Sequence, residues 1–202
     1  MNIKKLKYKV IDNFLSKKQH KEILKTFTSD SFPWYLQPNN STTIIRTTRD
    51  MKKIYKNILE GTQLTHLFYA YKDLGQGRNK INSPYFTIIK SFTKLFLTKY
   101  KIKTMEIFRA KVNLQLKLSD GKKHHHNTPH KDFENPFMDH NVLLYYVNDS
   151  DGDTHFFKGT KIVKSVSPKA NRLVVFDGNI LHTGSHPSKS SQRIVINIDC
   201  IW

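Results

Sequence analysis

Lysine alternates with apolar side chains over residues 5–10, with Leu6, Tyr8 and Val10 set against Lys5, Lys7 and Lys9. This is the two-residue period of a half-buried strand. Asp12 and Asn13 interrupt it, and the period then lengthens. Ser16 followed by Gln19 makes a capping box, and Ile23, Leu24 and Phe27 supply one apolar face, which predicts a helix ending near Phe27 with His20 on its exposed side. The run Phe32-Pro33-Trp34-Tyr35 closes this unit and reads as aromatic packing between layers. Residues 39–60 fit neither period cleanly: 41–48 are rich in Thr and Ile, and 50–59 are compatible with a helix. Residues 65–71 read as a strand, followed by a loop around Gly75 and Gly77. The clearest helix comes next, with Ser83 as cap, Pro84 at its first position, and Phe86, Ile89, Phe92 and Phe96 on a broad apolar stripe that runs to about Tyr100.

After Ile102 the texture changes to short strands separated by turn residues. Strands are expected at 105–118, 141–148, 154–158, 161–166, 172–176 and 193–201, with turns at 149–153 and 177–179 and a basic, histidine-rich loop at 119–127. So many strands without an intervening helix make a sandwich or barrel. The expected class is mainly β with supporting helices. We read residues 1–202 as one domain, with an N-terminal strand and helical support region at 1–103 and a β core at 104–202.

Composition changes this picture little. A chain of 202 residues can bury a real core without staples. The only cysteine, Cys200, excludes an internal disulfide and suits a reducing compartment, so a cytoplasmic location is expected, with Cys200 as a small apolar residue of the last strand. No membrane span or secretory signal is expected. The net charge of +18 would draw the protein toward polyanions, nucleic acid or an acidic protein surface. Its lysines are scattered, however, which fits a solvated basic surface better than a dedicated tract.

The candidate chemistry starts at Thr128-Pro129-His130-Lys131-Asp132-Phe133. On extended chain, His130 and Asp132 project from one face and Lys131 from the other. Alone the pair is a weak signal. His182 follows the turn after the 172–176 strand, and Arg193 stands on the next strand. Two histidines and one carboxylate form the facial triad of non-haem Fe(II) sites, which leaves three positions on the metal open. Arg193 offers a planar fork for a carboxylate. Other groupings are weaker: His124, His125 and His126 read as a mobile basic segment and not a zinc clip, and Asp149, Asp151 and Asp153 do not complete a calcium loop. His140, His155 and His186 have no expected role.

Residues of roughly 105–202 resemble the catalytic domain of the Fe(II)/2-oxoglutarate-dependent dioxygenases, in the prolyl-4-hydroxylase-like branch. The matching stretches are Pro129-His130-Lys131-Asp132, Leu144-Tyr145-Tyr146-Val147-Asn148, Asp151-Gly152-Asp153-Thr154, Arg172-Leu173-Val174-Val175-Phe176, Leu181-His182-Thr183-Gly184 and Gln192-Arg193-Ile194-Val195-Ile196-Asn197-Ile198. The resemblance implies a double-stranded β-helix core (jelly roll, cupin-like) with an N-terminal helical layer. It implies Fe(II) on His130, Asp132 and His182, and 2-oxoglutarate on Arg193, with Tyr146 giving a phenol hydroxyl to the same carboxylate and Asn113 a further hydrogen bond. O2 is the other cosubstrate, and the resemblance allows for ascorbate. The implied reaction hydroxylates a C–H bond and releases succinate and CO2. The implied substrate is a protein side chain such as prolyl; the alternatives are a nucleic-acid base, oxidised or demethylated, and a non-catalytic β-helix domain that binds a polyanion or partner protein. The common Gly-Gly-Glu-Thr turn is Asp-Gly-Asp-Thr here, and the 119–128 loop is long and basic, which makes it the expected place for substrate reading.

Overall fold

The computed structural model describes residues 8–37, 58, 61–71, 80–118, 125–132 and 139–202. The first strand and helix appear as β1 (Tyr8–Ile11) and α1 (Lys17–Phe27). The Ser16–Gln19 capping box is formed: the Ser16 hydroxyl accepts from the Gln19 N–H at 3.3 Å, and the Gln19 carbonyl oxygen accepts from the Ser16 N–H at 3.1 Å. The second helix, α2 (Phe86–Tyr100), starts later than Ser83 and Pro84 suggest. Ser83 Oγ accepts from the Tyr85 N–H at 3.1 Å, but the turn it caps closes through bonds from Phe86, Thr87 and Ile88 to carbonyls three residues back. That is a tight 3₁₀-type entry to the helix. The ambiguous 39–60 stretch and residues 119–124, His124 among them, lie outside the described residues, apart from Ile58.

The strands are β2 (Tyr35–Gln37), β3 (Gln63–Ala70), β4 (Lys80–Ile81), β5 (Glu106–Leu116), β6 (Asn141–Tyr146), β7 (Thr154–Lys158), β8 (Lys161–Val166), β9 (Arg172–Asp177), β10 (His182–Gly184) and β11 (Gln192–Ile201). They form a large sheet in the order β1-β9-β6-β11-β5-β3-β2, with β4 on β3, and a small sheet in the order β10-β7-β8. Every pairing between them is antiparallel. The N-terminal half therefore does more than supply a helical layer: β3 covers the outer edge of β5, and β1 covers that of β9.

The large sheet has a core on each face. Toward the helices, Ile23, Phe27, Ile89, Phe92 and Phe96 pack on Leu143, Tyr145, Leu173 and Ile196. Toward the small sheet, Val142, Leu144, Tyr146, Val174 and Phe176 meet Phe156 and Val166. Each such side chain contributes about 1.5–3 kcal/mol on burial. Phe32 touches Phe27, Trp34 and Tyr85 edge-on or tilted, which is the interlayer packing expected of it.

Two histidine expectations need correction. His20 is not merely exposed, because its Nδ1 lies 2.7 Å from the Tyr145 hydroxyl, which also donates to Asn171 Oδ1 at 3.1 Å. Asn171, at φ 64, clamps the backbone of Leu15 through Oδ1 (2.8 Å) and Nδ2 (2.9 Å), so the segment before α1 is tied to the start of β9. His126 is buried and sits edge-on to Phe157, with ring centroids 5.2 Å apart, so it is no part of a loose polar loop. Among the described residues, no helix is long and apolar enough to cross a membrane.

The turn between β9 and β10 is tightly fitted. The Gly178 N–H donates to the His140 carbonyl at 2.8 Å, and a Cβ at Gly178 would overlap the His140 ring. Gly178→Ala is expected to cost about 1–3 kcal/mol through overpacking. The shift in denaturant midpoint reads this directly, and an unchanged midpoint would show that the ring yields freely.

Candidate active site

The inner face of the large sheet is unusually polar where β5 and β11 lie side by side. Along β11, Ile194, Ile196, Ile198 and Cys200 face the helices, which leaves Arg193, Val195, Asn197 and Asp199 on the other face. Across from these four, in order, stand Gln115, Asn113, Lys111 and Arg109 of β5. Most of these groups line a cavity between the two sheets that also contains His130, Asp132 and His182.

Backbone pairing brings the two histidines together. His130 and His182 exchange N–H···O bonds of 2.9 and 3.0 Å, forming an antiparallel bridge between the 125–132 segment and β10. Asn127 supports that bridge by donating its backbone N–H and its side-chain Nδ2 to the Gly184 carbonyl, at 3.0 and 2.8 Å. His130 Nδ1 lies 3.0 Å from the Thr128 carbonyl, and His182 Nδ1 lies 2.9 Å from the Ile180 carbonyl. A carbonyl only accepts, so each Nδ1 carries a hydrogen and each Nε2 is left as the ligating nitrogen.

Asp132 is held on one oxygen only. Its Oδ1 accepts from Arg109 Nη2 at 2.6 Å and from Asn197 Nδ2 at 3.4 Å. Its Oδ2 is buried without a hydrogen bond, 3.3 Å from His182 Nε2. A bare buried carboxylate oxygen is costly unless a cation meets it. One ligating atom from each of His130, Asp132 and His182 lies within 4.8 Å of the other two, and no other group of this kind occurs among the described residues. This donor set fits a hard-to-borderline divalent ion such as Fe(II). Lys131 is exposed, as expected of the residue between the pair.

Arg109 extends the support outward, donating through Nε to Asp199 Oδ2 at 2.8 Å. Burial pushes the Asp199 carboxyl up to about 7. Lys111, half-buried on the cavity wall, is pressed down to about 8, first by desolvation and then by the Arg109 charge.

At the other end of the cavity lies Arg193, which is buried. Its Nε donates to the Gly152 carbonyl (2.7 Å), Nη1 to Gln115 Oε1 (2.8 Å) and Nη2 to Thr154 Oγ1 (2.8 Å). A guanidinium has five N–H groups, so one remains on each Nη. Gly184 allows β10 to pass close by, since a Cβ there would stand 3.1–3.2 Å from the guanidinium atoms. Asn113 lines the cavity and accepts from Thr65 Oγ1 at 3.0 Å. Tyr146 is fully buried behind Arg193, its ring centroid 5.7 Å from the guanidinium carbon and its hydroxyl donating to Thr154 Oγ1 at 2.7 Å.

Five of the six residues singled out from the sequence thus share one cavity, and Tyr146 reaches it through Thr154. Arg109, Lys111, Gln115, Thr154, Asn197 and Asp199 were not singled out. The weaker groupings resolve as structure: Asp151 accepts from the backbone N–H groups of Ser188, Lys189 and Ser190, and His155 bridges the hydroxyls of Ser165 and Ser185. A separate groove between α1 and α2, lined by Leu15, Glu22, Ile23, Ile88 and Phe92, lies on the far side of the large sheet from these groups.

Protonation sets the pH behaviour of the centre. Burial, then the His182 charge, lowers His130 to about 4, so its lone pair is available at neutral pH. Burial also disfavours the charged form of His182, but Asp132 outweighs it and raises the imidazole above its ordinary 6.5. Burial would likewise raise Asp132, yet His182 and Arg109 hold that carboxyl well below its usual 3.8. Without metal, the His182–Asp132 pair stabilises the fold fully below pH 6.5, and this contribution is lost as pH rises through the raised His182 value. Metal binding would run the other way, because an ion would have to displace that proton. Affinity for a divalent ion is therefore expected to rise with pH through the His182 titration, with release of about one proton. Calorimetric titration in buffers of different ionisation enthalpy measures this; a pH-independent affinity would contradict it.

No protein-family model matches the chain, and no curated protein sequence matches it. Several solved structures do. A 2OG-Fe(II) oxygenase family oxidoreductase from Burkholderia pseudomallei superposes with a TM-score of 0.66 at 11% identity, over 97% of this chain and 85% of that one. A prolyl-4-hydroxylase from Pseudomonas putida gives 0.54 at 13% identity, over 96% and 92%. A prolyl hydroxylase from Trichoplax adhaerens, in complex with a hypoxia-inducible-factor oxygen degradation domain peptide fragment, gives 0.55 at 14% identity, over 98% and 84%. At such identities the likeness is one of fold, and it shows that this chain has the jelly-roll fold of those oxygenases.

Proposed function

We propose that this chain is an Fe(II)- and 2-oxoglutarate-dependent dioxygenase that hydroxylates a substrate C–H bond and releases succinate and CO2. The observation that carries this reading is the convergence of one ligating atom from each of His130, Asp132 and His182 within 4.8 Å, in a cavity whose other end holds a buried arginine with N–H groups to spare. His130, Asp132 and His182 would hold the iron, which supplies the activation of O2 that side chains cannot. Arg193 would take the far carboxylate of 2-oxoglutarate with its two remaining Nη hydrogens. Thr154, accepting from Arg193 and Tyr146, keeps its own hydroxyl hydrogen for the same carboxylate, and Tyr146 acts behind it. Asn113 is placed for a further bond to the cosubstrate.

The test is anaerobic titration of the apoprotein with Fe(II) and 2-oxoglutarate. A visible metal-to-ligand charge-transfer band is expected. Its absence, or its survival in His130→Ala, would overturn the reading.

For the substrate we favour a protein side chain, prolyl first, as the Trichoplax fold neighbour is seen with a peptide fragment. The net charge of +18 supports a second reading, oxidation of a nucleic-acid base. Steeply salt-dependent oligonucleotide binding would support it, and no binding at low salt would exclude it. A non-catalytic binding domain would have no use for the three ligands and Arg193 together, and succinate formation from 2-oxoglutarate separates it from the enzyme. We place the protein in the cytoplasm on its single buried Cys200. We read the chain as one domain, because β3 and β1 of the N-terminal region pair with β5 and β9 of the core.

A further inference from the structure

Lys111 is not needed by any role assigned above. It stands on β5 opposite Asn197, and its side chain lines the metal cavity. Asp132 and Asp199 are close enough to act on its charge, yet both carboxylates are bonded to Arg109 instead. On β5, Lys111 is four residues from Gln115, the partner of Arg193, a separation of about 13 Å along a strand. Lys111 therefore lies well away from the Arg193 end of the cavity, level with Asn197, which donates to Asp132.

The charges at the centre balance without this lysine. Even with Asp199, whose carboxyl is pushed up to about 7, counted as ionised, Asp132 and Asp199 would be offset by Arg109 and half of a divalent ion's charge; Arg193 and the other half would offset the two carboxylates of 2-oxoglutarate. A Lys111 ammonium leaves one positive charge over, on the side away from the cosubstrate's anchor. Among the described residues no carboxylate is ion-paired with this half-buried ammonium, and a charge drawn partly out of water favours a counter-charge, so a partner that arrives with the substrate accounts for the position. Apart from the two candidate ligand histidines, the cavity's described lining contains no Phe, Tyr or Trp on which a base could stack, and Asn113, Asn127 and Asn197 add amide donors. The lining favours a small anion presented by a peptide.

We propose that Lys111 is a specificity-determining residue that binds a substrate carboxylate, so that the residue brought to the metal carries or adjoins an aspartyl or glutamyl side chain. This rests on the dioxygenase reading and narrows its substrate class to acidic peptides. The +18 chain would also attract acidic protein segments over a distance.

The test uses the full chain loaded anaerobically with Fe(II) and 2-oxoglutarate, with perturbation of the charge-transfer band as the readout. The probes are pairs of blocked hexapeptides that differ only by Asp against Asn or Glu against Gln, with and without an adjoining proline, and an oligothymidylate of matched charge. The acidic member of a pair is expected to perturb the band at concentrations roughly tenfold or more below its amide counterpart. In Lys111→Met, and in Lys111→Gln as a second variant, this preference should disappear while the 2-oxoglutarate affinity stays within about twofold.

Several outcomes overturn the inference: equal binding of acid and amide, a preference that survives both variants, response to the oligothymidylate alone, or response to no probe. A tenfold loss of 2-oxoglutarate affinity in the variants would assign Lys111 to the cosubstrate instead. If no band forms in the unaltered protein, it is the dioxygenase reading that fails.

Discussion

Asp132→Ala is expected to abolish the charge-transfer band of the Fe(II)–2-oxoglutarate complex and to lower metal affinity by more than about a hundredfold, beyond the range that follows from losing an outer-sphere partner. The reasoning starts from the two carboxylate oxygens. Oδ1 is engaged by Arg109 and Asn197, and Oδ2, buried and without a hydrogen bond, faces His182 Nε2 at 3.3 Å. The alanine variant removes the anionic member of the candidate set and leaves two imidazoles. The fold should survive, because Arg109 keeps Asp199 and the His130–His182 bridge is made of backbone. Circular dichroism checks the fold, and equilibrium metal titration checks the affinity. Near-normal binding would place the metal elsewhere.

The second large effect is expected at the other end of the cavity. Arg193→Met should weaken 2-oxoglutarate binding by roughly thirtyfold to several thousandfold, the range for truncating one member of a buried charge pair. Iron binding in the absence of 2-oxoglutarate should be little changed, so the two ends can be tested separately. Arg193→Lys should not restore full affinity. An ammonium has no planar fork, and it cannot serve Gly152, Gln115 and Thr154 while also presenting two parallel donors to a carboxylate. Stability should fall as well, since those three partners lose a buried donor. An unchanged 2-oxoglutarate dissociation constant in Arg193→Met would remove the arginine from the proposal.

Much of this architecture is legible in the residue pattern. Ser16 and Gln19 close the capping box they spell, and the strands expected after Ile102 occur with ends shifted by a few residues. The jelly-roll core implied by the resemblance is the fold observed. The three candidate ligands lie on extended segments, and Asp132 follows His130 by the two residues that keep a side chain on one face.

The supporting residues were harder to see for a physical reason. Arg109, Lys111, Asn113 and Gln115 alternate with Phe108, Ala110, Val112 and Leu114, and such alternation normally marks a strand with one face in water. Here that face looks onto a cavity, and only the second sheet reveals it. Asn197 and Asp199 are hidden in the same way on β11. His20 reads as exposed in the sequence because its partner, Tyr145, lies 125 residues away. The register of α2 was set by a tight entry turn that the Ser-Pro pair does not distinguish from an ordinary cap.

The backbone bridge between His130 and His182 has a consequence for metal choice. Two peptide hydrogen bonds hold the imidazole pair of this candidate cage together, so an ion would not need to organise that pair. Such a cage also has little means of refusing a wrong ion of similar size. Affinities of nitrogen and oxygen sites rise from Fe(II) through Co(II) and Ni(II) to Cu(II). If the proposed site takes a divalent ion, the later metals would win at equal concentrations, and the proposed activity would depend on which ion the cell keeps abundant while the chain folds.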